Sequence, residues 1–377
     1  MKDNRRDFLR KGTAMAAMSV VGIGMASAGI PGPEITSGQT KKKSQTKVKW
    51  PIKESADTPK LCLATSINAD VKGMRRIKQV GIDYVLMSGP KIPWKEEDLR
   101  AAMERFKAQG LTIMNMMIGG INNTILGREG RDEEIENVKK SLIAAGAAGL
   151  PVVEYNFYVH RLTEGYYPVE GRGGSKYLGF NYDKVKDLPP IEGVGIHTAE
   201  ELWANLTYFL KAVVPVAEKA GVRMALHPND PPPPMTHGSA QIMGDLKGWK
   251  RLIEIVDSPS NGITFDCGVT NEIGEDPVEV VRYFGSRDRI NHQHFRNANL
   301  EVPREKYVEQ FVDEGDVNMF AVMQELVRLK YKFGLFPEHP HGLDADKELG
   351  GDYIAYVYNV GYARAMLQAA IFSNEIS

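Results

Sequence analysis

The sequence predicts an α/β protein built as a single (β/α)8 TIM barrel, and three observations carry that expectation. Short β-rich apolar runs alternate with longer segments of helical period, the pattern of βα units around a parallel sheet. Eight such runs can be counted, beginning at Leu61, Tyr84, Thr112, Pro151, Arg223, Gly262, Ile290 and Phe333. Helical periods lie between them, for example Asp132 to Ala148, Ala199 to Ala220 and Asn318 to Leu329, and a last one from Tyr353 to Ile371 closes the order. The third observation is chemical. Four consecutive runs finish in side chains able to ligate a metal, at the end of the barrel where catalytic groups converge.

The bulk numbers agree with one large core. A chain of 377 residues with 42% hydrophobic and 25% charged side chains is an ordinary globular composition, which excludes fibrous and disorder-dominated readings. The formal net charge of −1 offers no broad basic field for phosphate backbones, so nucleic acid is not an expected partner. Two cysteines, Cys62 and Cys267, give no disulfide framework. The sequence leaves room for a homo-oligomer.

The first residues read as a targeting segment. Met1 to Ala28 has a charged start, an apolar middle and a small-residue end, and Arg5-Arg6 followed by Phe8-Leu9 resembles a twin-arginine export signal. Ala26-Ser27-Ala28 offers a cleavage site, and the apolar stretch is too short for a stable membrane span. The expectation is a periplasmic protein with no stable span after processing. Loss of five Lys/Arg and two Asp would take the formal charge from −1 to about −4. Residues 29–59, rich in Pro, Lys, Ser and Thr, read as a linker, and 60–377 as the catalytic barrel.

Position selects the candidate site. His227 ends the fifth run, Asp266 and Cys267 the sixth, His294 the seventh, and Glu338 with His339 the eighth. Neighbouring side chains on a strand point to opposite faces, so Asp266 and Cys267 cannot both face the barrel interior. Thr264 shares a face with Asp266, and Phe265 suits packing against helices, which favours Asp266 as the ligand and leaves Cys267 as the fallback. Two imidazoles with one or two carboxylates suit a hard or borderline divalent ion: manganese first, with iron(II), magnesium or zinc as alternatives. Arg296 follows on the His294 face and has the geometry for bidentate capture of a carboxylate. After His227, the Pro231–Pro234 stretch would hold a rigid loop beside the metal. The segment from Arg161 to Thr198, after the fourth strand, is expected as a loop over the catalytic face and a candidate lid.

At this point the residues resemble mannonate dehydratases of the xylose-isomerase-like superfamily. The resemblance runs through Val153 to Phe157, Ala225-Leu226-His227-Pro228-Asn229-Asp230-Pro231-Pro232, Ser258 to Phe265, His294-Phe295-Arg296, Gly315 to Met319 and Pro337-Glu338-His339. It implies metal-dependent loss of water from D-mannonate to give 2-keto-3-deoxy-gluconate. It also implies His227, Asp266, His294 and Glu338 as metal ligands, with His339 and Tyr353 as catalytic residues beside Arg296. Asn156, Asp230 and His341 are the candidate substrate-binding residues. The sequence departs from the family pattern, which usually has Cys at the positions of Asp266 and Glu154, and Asp at those of Asn229 and Glu338. A sugar isomerase or epimerase on the same barrel and metal site is the alternative.

Overall fold

The computed structural model describes residues 51–349 and 353–376. The expected signal segment and residues 29–50 of the expected linker lie outside the described residues. The final part of that linker, 51–59, packs on the body: Ile52 joins the main core, and the Lys60 ammonium donates to the carbonyls of Ser55 and Thr58.

Eight strands close the barrel: β1 (Lys60–Ala64), β2 (Tyr84–Ser88), β3 (Thr112–Ile118), β4 (Val152–Tyr155), β7 (Arg223–Leu226), β10 (Asn261–Asp266), β11 (Ile290–His294) and β14 (Gly334–Phe336). Each begins within one residue of its predicted start. Every neighbouring pair is parallel, and the seam joins β1 to β14 at Lys60–Gly334 and Leu61–Leu335. Parallel strands covered on both faces need apolar or internally paired side chains throughout, and β10 and β11 are buried at every residue.

The surrounding helices show why the chain turns where it does. The longest between strands, Ala199–Ala220, starts in a capping box in which Thr198 and Glu201 each accept from the other's backbone N–H. It stops at Gly221, whose φ of 71° suits a residue without a Cβ. This helix lies against Arg131–Ala148 so closely that a Cβ added to Gly146 would sit 2.2 Å from the carbonyl oxygen of Ala220. Among the described residues no helix is long and apolar enough to cross a membrane.

The 161–198 insertion differs from the expected loop. It contains β5 (Tyr166–Glu170) and β6 (Lys176–Asn181), a hairpin that pairs with β13 (Lys306–Gln310), itself paired with β12 (Asn297–Val302). The result is a four-stranded antiparallel sheet ordered β12-β13-β6-β5. Leu162, Phe180, Tyr182, Val185 and Tyr307 give it a small core of its own. Two segments about 130 residues apart in sequence thus complete one another, a pairing that periodicity within either segment cannot reveal.

The tight helix contact gives a test with a diagnostic sign. Helix propensity alone would make Gly146→Ala stabilising by ~0.5–1 kcal/mol. The contact with Ala220 should reverse this, costing ~1–3 kcal/mol in thermal or denaturant unfolding; a higher melting temperature in the variant would contradict the packing.

Candidate active site

The ends of four consecutive barrel strands bring His227, Asp266, His294 and Glu338 together, with one donor atom of each within 4.8 Å of all the others. Each side chain is held from outside the cluster. His227 places Nδ1 2.7 Å from the carbonyl of Pro228, so that nitrogen carries the proton and Nε2 turns a lone pair inward. His227 Nε2 lies 3.0 Å from His294 Nδ1, which lies 2.8 Å from a Glu338 oxygen and 3.8 Å from an Asp266 oxygen. The opposite nitrogen of His294 faces Glu154 at 3.6 Å. That carboxylate is itself fixed by Asn115 and by Thr264, each donating at 2.7 Å. At that distance the carboxylate acts on the ring through its charge, which raises the basicity of the imidazole.

Asp266 and Cys267 separate as the strand period requires. The Asp266 carboxylate faces the cluster and accepts from the backbone N–H of Val269, capping the short helix Cys267–Glu272. Cys267 points elsewhere and accepts from Gln293; burial, with Asp266 nearby, pushes its thiol well above the usual range. It is therefore a protonated core thiol and not a metal ligand.

The charges of the cluster act strongly on one another. Burial opposes charge on His294, but Glu338, Glu154 and Asp266 outweigh it and push the imidazole up to about 9. Glu338 is driven well below the usual carboxylate range despite burial, by His294 and His339. Charged and lone-pair-bearing atoms thus converge at one point, and Nε2 of His294 is buried with no hydrogen-bond partner in the protein. These residues fit a divalent ion: imidazole lone pairs and carboxylate oxygens at one point, backed by oriented second partners.

A cavity of about 200 Å³ opens directly on the cluster, lined by Met117, Asn156, Tyr158, Arg161, His227, Asp230, His294, Glu338 and His339. His339 adopts the left-handed backbone region at φ 46°, an uncommon conformation for a non-glycine residue and one that recurs at functional sites. Its Nδ1 lies 2.9 Å from Glu309, and its Nε2 faces Glu338 and Asp230 at 3.7 and 3.9 Å. Burial disfavours its charge, but Glu309 and Glu338 outweigh this and push it up to about 10. Asp230 is held low, against burial, by Arg296 and Arg161, and accepts from the Tyr166 hydroxyl at 3.0 Å.

Three candidates from the sequence lie elsewhere. Arg296 does not line the cavity: its guanidinium is 2% exposed and is engaged by Glu272 at 2.5 Å, Asp266 at 3.1 Å and Glu338 at 3.3 Å. It holds carboxylates in place, and its remaining nitrogen is buried facing Asp230 at 3.5 Å and does not open on the cavity. Tyr353 is not brought to the cluster, because its hydroxyl donates to the carbonyl of Arg76 at 3.2 Å. His341 is packed between Tyr177 and Phe311, at ring separations of 4.5 and 4.7 Å, and lines a neighbouring cavity with Lys176 and Tyr166. Residues the sequence did not single out take their places: Arg161 and Tyr158 at the cavity wall, and Glu309 and Glu272 around Arg296 and His339. Glu309 sits on β13, outside the barrel, where strand-end position gave no signal.

A family model described as D-mannonate dehydratase (UxuA) matches residues 66–196 and 192–374. The chain belongs to this family. Mannonate dehydratase from Streptococcus equi subsp. zooepidemicus is 32% identical over 291 residues, covering 70% of this chain and 79% of that protein. The enzyme of the same name from Oceanobacillus iheyensis is 30% identical over 330 residues, 76% and 93% of the two chains. The crystal structure of mannonate dehydratase from Streptococcus suis serotype 2 superposes with a TM-score of 0.76 at 28% identity, covering 84% of this chain and 96% of that one. A D-psicose 3-epimerase from Clostridium cellulolyticum shares the fold at 12% identity and a TM-score of 0.56. As a member of the mannonate dehydratase family the chain is a hydro-lyase with a candidate metal centre at the barrel mouth.

Two substitutions separate the roles of the groups around that centre. Glu154→Gln should weaken manganese binding ~10–100-fold, because the His294 ring loses the charge behind it, while Cys267→Ser should bind as the parent does. Chelator-competition titrations decide; metal loss in Cys267→Ser with none in Glu154→Gln would contradict the ligand assignment.

Proposed function

We propose that this chain removes water from a sugar acid, D-mannonate in the first instance, giving 2-keto-3-deoxy-D-gluconate with a divalent metal, preferably manganese, held by His227, Asp266, His294 and Glu338. The observation that carries the reading is the convergence of those four donor atoms beside a cavity that also presents His339. The cavity suits a single small polyhydroxylated molecule.

The chemistry needs two proton movements, loss of the C2 proton and protonation of the departing C3 hydroxyl. The proton α to an ionised carboxylate is very weakly acidic, so developing charge must be stabilised. A bound divalent ion supplies Lewis acidity for that charge. The chain's own residues supply the rest: Asp230, an ionised carboxylate lining the cavity, is placed to accept the C2 proton. His339, kept protonated by Glu309 and Glu338, stands ready to give a proton to the leaving hydroxyl from Nε2. Arg161 takes the part first expected of Arg296: it lines the cavity with a side chain 44% exposed, although one edge already contacts Asp230. Its free edge neutralises the substrate carboxylate. Asn156 offers an amide to a substrate hydroxyl.

The alternative, a sugar isomerase or epimerase, draws on Glu154 as an inward carboxylate acting on substrate. Glu154 is 1% exposed, with both oxygens already accepting hydrogen bonds, and it does not line the cavity. That arrangement supports a role exerted through His294 and favours dehydration.

Incubation of the manganese-loaded protein with D-mannonate and a panel of other hexonates should release a keto-deoxy acid detectable with semicarbazide. His339→Asn should keep its metal while kcat falls ~10²–10⁴-fold. Interconversion of sugars without keto-acid release, or full activity in His339→Asn, would remove this reading.

A further inference from the structure

Beside the barrel-mouth cluster, a second group of potential ligands lies where the start of the insertion meets the 235–240 turn. His160 follows β4, Glu164 lies in the 3-10 turn Thr163–Gly165, and His237 occupies the turn between β8 (Met235–Thr236) and β9 (Ser239–Ala240). One donor atom from each lies within 4.8 Å of the other two. A single oxygen of Glu164 faces Nε2 of His160 at 3.1 Å and Nε2 of His237 at 3.4 Å, and the two rings meet edge to face with centroids 4.9 Å apart.

The hydrogen bonding of His237 fixes which of its nitrogens faces the group. Its Nδ1 lies 2.7 Å from the carbonyl oxygen of Pro189, which only an N–H can satisfy. Nε2 is then the nitrogen left to face the Glu164 carboxylate, placed to share a cation with it. The backbone is committed to this placement too, since His237 is held at φ 47° in the left-handed region that non-glycine residues seldom adopt. A tetrahedral ion bonded at ~2.0–2.2 Å sets its ligand atoms ~3.3–3.6 Å apart, a range the 3.4 Å pair meets and the 3.1 Å pair approaches. The side chains are 33%, 41% and 13% exposed, which leaves solvent access for a water as fourth ligand.

We propose that His160, Glu164 and His237 form a second metal site, separate from the barrel-mouth centre and selective for a borderline divalent ion of the zinc class, which two imidazoles and one carboxylate suit. The site joins the start of the insertion to the 235–240 turn. His160 and Glu164 flank Arg161, whose guanidinium reaches the Asp230 carbonyl at 2.8 Å and its carboxylate at 3.2 Å. An ion there therefore ties down the segment that presents Arg161 to the cavity.

The proposal is tested with zinc alone on the full chain, stripped of metal, reloaded, freed of excess ion by gel filtration and analysed for bound metal. The parent should retain about two ions per chain, and His237→Ala and Glu164→Gln about one each, with the barrel-mouth ion kept. Glu164→Gln preserves side-chain volume at an exposed position, which guards against a folding artefact in His237→Ala. Cobalt(II) loading adds a spectroscopic readout: visible absorption from a tetrahedral site should diminish in both variants. A parent that holds one ion, lost in His227→Ala and kept in His237→Ala, would overturn the second site and leave the barrel-mouth centre standing. Two ions in both His237→Ala and Glu164→Gln would overturn it equally.

Discussion

Arg296 is buried at the mouth of the barrel with carboxylates on several sides: Glu272, Asp266, Glu338, Asp230 and, at 3.9 Å, Glu309. A guanidinium taken out of water is tolerated only where its charge is met, and these carboxylates are tolerated only where theirs is. One cation cannot neutralise them all. Burial pushes Asp266 and Glu272 up even with Arg296 beside them, while Glu338 and Asp230 stay low because His294, His339 and Arg161 share the load. The carboxylates of Asp266 and Glu338 lie on the side facing His294, at 3.8 and 2.8 Å. These residues fit a divalent ion at that point, and the neighbouring features surround it: the inward lone pair of His227, the raised imidazoles of His294 and His339, and the carboxylate of Glu154 behind the His294 ring.

The antiparallel sheet beside the barrel extends the same arrangement. It brings Glu309 to His339 and Arg296, and Tyr166 to Asp230, from strands that take no part in the barrel itself. The hydroxyls of Tyr166 and Tyr307 lie 3.2 Å apart, linking the hairpin to β13 at the level of the carboxylates. The insertion is therefore part of the site's wall, and its small core supports residues whose charges matter.

Much of this was legible in the sequence because a barrel makes position meaningful. Alternation of strand-like and helix-like periods placed all eight barrel strands, and the rule that side chains alternate across a strand put Thr264 and Asp266 on one face and Cys267 on the other. The four donor residues met because consecutive strands end at one level. What was not legible was the environment of each charge. Arg296 sits on the correct face for a substrate contact, yet its partners Glu272 and Glu309 come from a helix and a strand whose proximity only the tertiary fold creates. Tyr353 and His341 were placed near the site by resemblance and by sequence proximity to the eighth strand, and local packing against Arg76, Tyr177 and Phe311 takes them elsewhere. The hairpin was missed since its pairing partner lies far along the chain.

The central claim is that the negative charge at the barrel mouth is matched by one ion shared among four side chains. Anomalous X-ray scattering from crystals grown with manganese tests it most directly. A strong manganese peak in bonding contact with Nε2 of His227, Nδ1 of His294 and the carboxylates of Asp266 and Glu338 is the predicted result. An intact cluster with no peak at saturating manganese, or a barrel-mouth peak ligated by other residues, would contradict the account.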